Sequence, residues 1–385
     1  MHRLFLFNPD CEMAIADGGV FYTPPANVVK MAGDLAFLPA WLGDEGDRVL
    51  VNSLPDECFM QTVCNPLQLK CLPLCISELK DYPDLKGEPW GLSPKMGHWL
   101  VEHRLGEGWK IDRKEWYSRK MAMAGLSRLA KVIPEIEPDL LPQICFSLEE
   151  IEQHIKGGYY LVKTPWSSSG KGLLALFNGI GKKEREWLTG MLRRQGYLML
   201  EKWLDKEKDF AAEFYMGENG AEFIGWSSFI TGKHGEYQGN YIGASENIEK
   251  ELNRSVSSRH LALLMRELPV MLNGLFPFYR GYLGVDMMIY RNPSGQYCIQ
   301  PCVEINLRYN MGIVALYLSR RYIESTSRGV FEIRYFSKAG QALKEHFRLQ
   351  REQPVSYKNN RIRSGYLNLT PVNEATHFVA SVRCY

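Results

Sequence analysis

Apolar residues along the chain fall into short runs and stripes that predict alternating strands and helices. The run at residues 3–8 reads as a first strand leading into Asn8-Pro9-Asp10, and Arg48 to Asn52 reads as a second. Between them, Thr23 ahead of Pro24-Pro25 predicts a capped helix start. Residues 54–92, broken repeatedly by proline, read as irregular connections between short elements. The first third, residues 1–115, is therefore expected to be a modest α/β domain.

From about Trp116 the texture changes. Ser118 to Lys131 has the spacing of an amphipathic helix. Ser147-Leu-Glu-Glu150 is a capping box that starts another, stopped by Gly157-Gly158. Strands are predicted at 159–163, 173–177, 197–201 and 210–216. Gly217-Glu-Asn-Gly220 turns the chain into a further strand over 221–228. Helices are expected at 182–195, 256–273, 311–324 and 337–350. Residues 282–290 and 296–306 read as a hairpin across the turn Asn292-Pro-Ser-Gly295, and the tail from Arg361 reads as short strands. No internal repeat is present.

Composition narrows the function classes. The 385 residues are 45% hydrophobic, enough for real cores, and 46 Lys and Arg against 44 Asp and Glu leave a formal charge of +2. That balance argues against a dedicated nucleic-acid binder. No apolar run approaches the ~18 residues of a spanning helix, and the N-terminal run is short for a signal peptide. A cytoplasmic protein without a membrane partner is the expectation. Nine cysteines suggest reduced thiols. Cys58, Cys64, Cys71 and Cys75 do not repeat a CxxC spacing, which favours buried small hydrophobes over a zinc site.

Several familiar signatures are missing: no P-loop, no GxGxxG after a strand, no GxSxG and no HExxH. Four places remain. In the hairpin, Asp286 lies on one strand and Glu304 and Asn306 on the other, two apart and so on one face. Oxygen-bearing side chains on adjacent strands suit a hard cation such as magnesium. A solvated face, or an Arg308–Glu304 ion pair, would give the same pattern. Lys163 ends a strand before the loop Pro165 to Gly172, whose hydroxyls and N–H groups suit a polyphosphate; a polar hairpin loop reads alike. Leu198 to Leu204, with Glu201, Lys202 and Trp203, then Asp209, would serve as a hinge for a flat base or as an ordinary strand. Lys120 is a second cation candidate or a surface lysine. Thr231 to Gly243 reads as a substrate loop or a wet edge strand.

In this order the four places resemble the ATP-grasp superfamily over residues 116–320. Gly-Val-Asp286 followed by Val-Glu304-Ile-Asn306-Leu-Arg308 is similar to the family's aspartate strand and ExN motif, with the trailing arginine of biotin carboxylase-like members. Tyr-Leu-Val-Lys163 and Ser167-Ser168-Ser169-Gly170 resemble its lysine strand and phosphate loop. Leu-Glu201-Lys202-Trp203-Leu204 resembles its adenine hinge, with Asp209 near a ribose-binding acid.

The resemblance implies an α/β (α+β) chain. An N-terminal pre-ATP-grasp domain (1–115) would precede a two-subdomain ATP-grasp fold with antiparallel sheets, a small lid (116–197) and a C-terminal subdomain (198–385). It implies an ADP-forming ligase that joins a carboxylate to an amine through an acylphosphate. Asp286, Glu304 and Asn306 would bind Mg2+, Lys120 and Lys163 the phosphates of ATP, and Arg308 the acylphosphate. The loop 167–172 would close over the nucleotide. The alternatives are a phosphotransferase that stops before ligation and a non-catalytic nucleotide-binding scaffold. The sequence names neither substrate, and it leaves a homo-oligomer open.

Overall fold

The computed structural model describes residues 2–155, 157–167, 172–177, 179–232, 237–243 and 245–385. The apolar runs of the first third form a four-stranded parallel sheet, β1 (Arg3–Leu6), β2 (Arg48–Val51), β3 (Leu72–Cys75) and β4 (Lys86–Pro89), in the order β3-β2-β1-β4. In such a sheet, loops at the carboxyl ends of adjacent strands are natural binding positions. Here the loops after β1 and β4 are tied together: Asn8 Nδ2 donates to the Gly91 carbonyl at 2.7 Å. Thr23 does not cap the helix that follows. The helix begins at Ala26, and Pro25 at its N-cap has an extended ψ of 147° with no side-chain cap. A residue preceding proline is pushed out of the helical region, which keeps Thr23 and Pro24 outside the helix. Cys64 and Cys71 are buried in this region's core, and burial pushes the Cys64 thiol up to about 12.

A second sheet is small and antiparallel. It holds β5 (Gln143–Cys145), β6 (Tyr160–Lys163), β7 (Leu173–Leu176) and β8 (Leu198–Lys202), in the order β5-β8-β6-β7. The helices Leu148–His154 and Lys182–Gln195 cover it through Ile151 and Leu188. The start of the first carries half of the expected capping box: the Glu150 N–H donates to Ser147 Oγ at 3.2 Å, but the Glu150 carboxylate accepts from the Phe146 N–H at 2.6 Å, one residue before the cap. β8 belongs to this sheet through its pairing with β6, so the strand expected to open the C-terminal subdomain closes the small one instead. The helix Arg119–Leu129, expected in the lid, packs instead on the large sheet: Ala122, Leu126 and Leu129 share a core with Leu264, Leu268 and Met271.

The large sheet has nine strands: β9 (Asp205–Gly217), β10 (Gly220–Thr231), β11 (Tyr237–Ile242), β12 (Gly281–Arg291), β13 (Tyr297–Asn306), β14 (Gly329–Tyr335), β15 (Ser356–Lys358), β16 (Arg361–Asn368) and β17 (Phe378–Cys384). Their order is β13-β12-β9-β10-β11-β14-β17-β16-β15. One face of β9 and β12 carries Phe210, Ala212, Phe214, Leu283, Val285 and Met287, buried with helix Ser258–Leu275. Side chains alternate across a strand, so Asp209, Glu213 and Asp286 lie on the other face. β11 is an interior strand between β10 and β14, with Asn240 buried and bonded to the Tyr237 hydroxyl at 2.6 Å. That excludes the wet edge strand. His234 and Glu236 of the same stretch lie outside the described residues.

Candidate active site

Three strands set the floor of the site. Gly284 on β12 faces Glu213 on β9 and Asn306 on β13, and Asp286 faces Ala211 and Glu304. Directly opposed residues share a face, so Glu213, Asp286, Glu304 and Asn306 form two adjacent rows on the polar side. Asn306 Nδ2 donates to Asp286 Oδ2 at 2.9 Å. Burial pushes the Asp286 carboxyl well above the usual range, and the neighbouring Glu304 and Glu213 carboxylates raise it further. A divalent cation between the two rows would relieve that negative potential. Among the described residues no three His, Cys, Asp or Glu side chains cluster as a metal site. The donor set here is two carboxylates and an amide, hard oxygen ligands that suit magnesium completed by phosphates and water.

Arg308 follows the end of β13 and is held from three sides. Its Nε pairs with Glu12 Oε1, Nη1 donates to the Tyr309 carbonyl at 3.0 Å, and Nη2 donates to Asn306 Oδ1 at 3.0 Å. One N–H on each terminal nitrogen remains for an oxyanion. Burial works against the charge, but Glu12, with Cys11 and Glu304 acting in the same direction, outweighs it and raises the guanidinium pKa. Glu12, on the helix Cys11–Asp17 after β1, is thus the partner of Arg308, in place of the Glu304 weighed from sequence. A cleft lined by Glu12, Gly91, Tyr117, Ser167, Glu304 and Arg308 lies where these elements meet. Gly91 is required there: a Cβ would lie 2.6 Å from Cys11 Sγ and 3.2 Å from Arg308 Cβ.

The lysine strand approaches from the small sheet. Lys163 is buried at the end of β6, with Nζ 2.6 Å from Glu201 Oε2 on β8. Arg119 joins this strand end to the floor. Its Nη1 donates to the Thr164 carbonyl at 2.7 Å and to Ser167 Oγ at 2.6 Å, and its Nη2 lies 3.0 Å from Glu304 Oε1. Lys120, expected to be the cation here, is exposed, with Nζ 5.8 Å from the centre of the Tyr197 ring. Ser118 Oγ accepts from the Lys120 N–H at 3.1 Å and caps the helix. The buried stripe of this helix then runs Arg119, Ala122, Leu126, Leu129. That spacing of three, four and three was present in the sequence and would have singled out Arg119.

The hinge candidates are also placed. The Trp203 N–H donates to the Tyr159 carbonyl at 2.9 Å, so that donor is committed to the sheet. Trp203 is half exposed against Phe177, with ring centroids 4.9 Å apart. Lys202 is turned away to Asp139. Asp209 accepts from Lys206 Nζ at 2.6 Å and Thr231 Oγ1 at 2.7 Å. Ser168, Ser169 and Gly170 lie outside the described residues.

Glu213 was not singled out from sequence, because nothing along the strand Phe210 to Met216 marks it as special. It is 1% exposed and accepts from Ser227 Oγ and Asn310 Nδ2, both at 2.7 Å. Burial pushes its carboxyl from the usual 4.5 up to about 7, although both donors and Arg308 pull it down. An acid whose folded pKa is raised binds its proton more tightly in the folded state. Its contribution to stability is therefore lost as pH rises from about 4.5 to about 7, by roughly 3 kcal/mol for a shift of this order. Glu213→Gln has no such titration, so its melting temperature relative to wild type is expected to rise between about pH 5 and about pH 8. A pH-independent difference between the two melting curves would contradict this.

No protein-family model matches the sequence, and no curated protein matches it. Solved structures do match over nearly the whole chain. Biotin carboxylase from Campylobacter jejuni, in a β,γ-ATP complex, aligns with a TM-score of 0.56 and 10% identity, covering 100% of this chain and 88% of that one. The biotin carboxylase domain of 2-oxoglutarate carboxylase from Hydrogenobacter thermophilus, with MgADP, ADP and bicarbonate, aligns at 0.51 and 10% identity, covering 99% and 86%. N5-carboxyaminoimidazole synthetase from Staphylococcus aureus, complexed with ADP, aligns at 0.50 and 13% identity, covering 99% and 93%. The chain has the ATP-grasp fold: α/β, with antiparallel sheets after an N-terminal α/β unit.

Proposed function

We propose that the chain is an ATP-dependent, ADP-forming ligase that joins a carboxylate to an amine through an acylphosphate. The observation that carries this reading is the Arg119 bridge, which brings the end of the lysine strand to the row of Asp286 and Glu304. Cations for phosphate then stand beside oxygen ligands for a metal, with Arg308 just past the end of β13 and bonded to Asn306. Asp286, Glu304 and Asn306 would hold a magnesium ion, which would supply positive charge beside the phosphates of ATP. Lys163 and Arg119 would exchange their present carboxylate partners for phosphate oxygens. The substrate carboxylate attacks the γ-phosphorus, ADP leaves, and the amine then displaces phosphate from the acyl carbon with loss of a proton. The free N–H groups of Arg308 would stabilise the acylphosphate and the oxyanion that follows. The work is positioning and charge neutralisation, so the first step needs no general base.

Release of ADP from Mg-ATP, with and without mixed carboxylates and amino acids, tests this directly. Turnover that needs both an acid and an amine supports the ligase. ADP formed without any amine would make it a phosphotransferase. Nucleotide binding without turnover under any combination would leave a scaffold.

Lys163→Ala is expected to weaken binding of a non-hydrolysable ATP analogue by roughly 1.5–3 kcal/mol, the size of a charge-assisted contact. Calorimetric titration would measure it, and equal affinities would remove Lys163 from the phosphate site.

A further inference from the structure

The segment that presents Arg308 is four residues long, Leu307 to Asn310, between β13 and the helix Met311–Arg321. So short a connection is set by its two ends and its anchors. On the side of the N-terminal unit, the Tyr309 N–H donates to the Trp90 carbonyl at 2.9 Å and the Tyr309 hydroxyl to Glu88 Oε1 at 3.0 Å. At its far end, Asn310 caps the helix, with Oδ1 accepting from the Ile313 N–H at 2.9 Å. One side chain fixes the orientation of that cap: Asn310 Nδ2 donates to Glu213 Oε2.

Glu213 is built into this position. Its other oxygen accepts from Ser227 on β10, so the carboxyl is held between two strands and a helix start. Two glycines make room for it. A Cβ at Gly284 would lie 2.6 Å from Glu213 Oε2, and a Cβ at Gly312 would fall inside contact distance of Glu213 Oε1 and Ser227 Oγ. A buried carboxyl in a sheet interior is costly unless its oxygens find donors. An apolar side chain would pack between Ser227 and Asn310 without that cost, but it would leave the Asn310 amide without an acceptor. The amide group would then be free to turn, and the cap with it.

We propose that Glu213 is a positioning residue: from the interior of the large sheet it orients Asn310, and through the helix cap that Asn310 makes it sets the path of the loop presenting Arg308. The effect on the loop stands on the geometry alone, whereas its consequence for catalysis rests on the ligase reading above. The hydrogen bond from Asn310 is available whether or not the opposite oxygen carries a proton, so this role does not depend on titration.

The test compares Glu213→Ala, Gly312→Ala and Glu213→Gln by amide hydrogen exchange on the full chain. Glu213→Ala removes the acceptor, and Gly312→Ala pushes the carboxyl away from Asn310. Both are expected to speed exchange across 307–313 by roughly fivefold to tenfold, the factor one lost buried hydrogen bond produces in a local opening. The helix Lys182–Gln195, in the small sheet, serves as the reference and is expected to stay unchanged. Glu213→Gln keeps an acceptor for Asn310 and a donor for Ser227, and is expected to exchange like wild type. Unchanged exchange at 307–313 in both alanine variants would overturn the proposal. So would faster exchange in the reference helix to the same degree, because that describes general destabilisation. Where an acid and amine pair supports turnover, Glu213→Ala is expected to lower kcat more than it raises the KM for ATP. Exchange data of the expected form with no turnover under any condition would leave the positioning role standing and remove the ligase.

Discussion

Glu304→Gln is expected to leave the fold in place and to lower ATP turnover by roughly 10²–10³-fold, the scale of losing one preorganised charge-stabilising group. Glu304 is partly exposed, with 26% of its side chain open, and it faces Asp286 across the strand pair. Glutamine has the same shape and still accepts from Arg119, so the packing need not change. The difference is one negative charge at the point where a cation would sit between two carboxylates. Two effects then act in the same direction. A bound cation would lose a ligand charge, and Arg119 loses its ionic partner beside Ser167. ADP release under saturating Mg-ATP, alongside a thermal melt, separates activity from folding. Turnover like that of wild type in a folded variant would remove Glu304 from the catalytic set.

How much of this was legible beforehand depends on the range over which each contact acts. The β12–β13 hairpin was readable because its logic is local: period-two alternation puts Glu304 and Asn306 on one face, and a turn at 292–295 fixes the return. Its register pairs Asp286 with Glu304. The Ser147 side-chain cap and the helix at 182–195 were local in the same way. What could not be read was pairing between distant segments. Arg308 is held by Glu12, 296 residues away in sequence. Glu213 enters the site because β9 lies against β12, and no pattern within either strand announces that neighbour. The helix Ser245–Ser255 was missed because its charged residues overshadow a sparse apolar stripe. Arg119 is a different case. Its position was legible in the helix period, but a lysine one residue on drew attention because phosphate sites so often hold one.

That distinction leads to the second large effect, the contrast between Arg119→Ala and Lys120→Ala. Arg119 is 7% exposed and spends its guanidinium on the Thr164 carbonyl, Ser167 Oγ and Glu304. Its donors point to the end of the lysine strand and to the start of the loop expected to wrap phosphate. Exchanging Glu304 for a phosphate oxygen would keep a charge-assisted bond, and the planar fork suits phosphate geometry. Losing it is expected to weaken binding of a Mg-bound, non-hydrolysable ATP analogue by roughly tenfold to a hundredfold, from a contact of about 1.5–3 kcal/mol. Lys120 is exposed, lies over the Tyr197 ring, and has no acidic partner among the described residues. Its removal is expected to change affinity by less than about fivefold, within the range of a solvent-exposed charge. Arg119→Lys gives an intermediate check, since it keeps the charge but loses the fork that reaches Thr164 and Ser167 together. Calorimetric titration of the three variants, each with a melt to confirm folding, ranks them. A larger loss at Lys120 than at Arg119 would return the phosphate contact to Lys120, and Arg119 would then be only the strut between the two sheets.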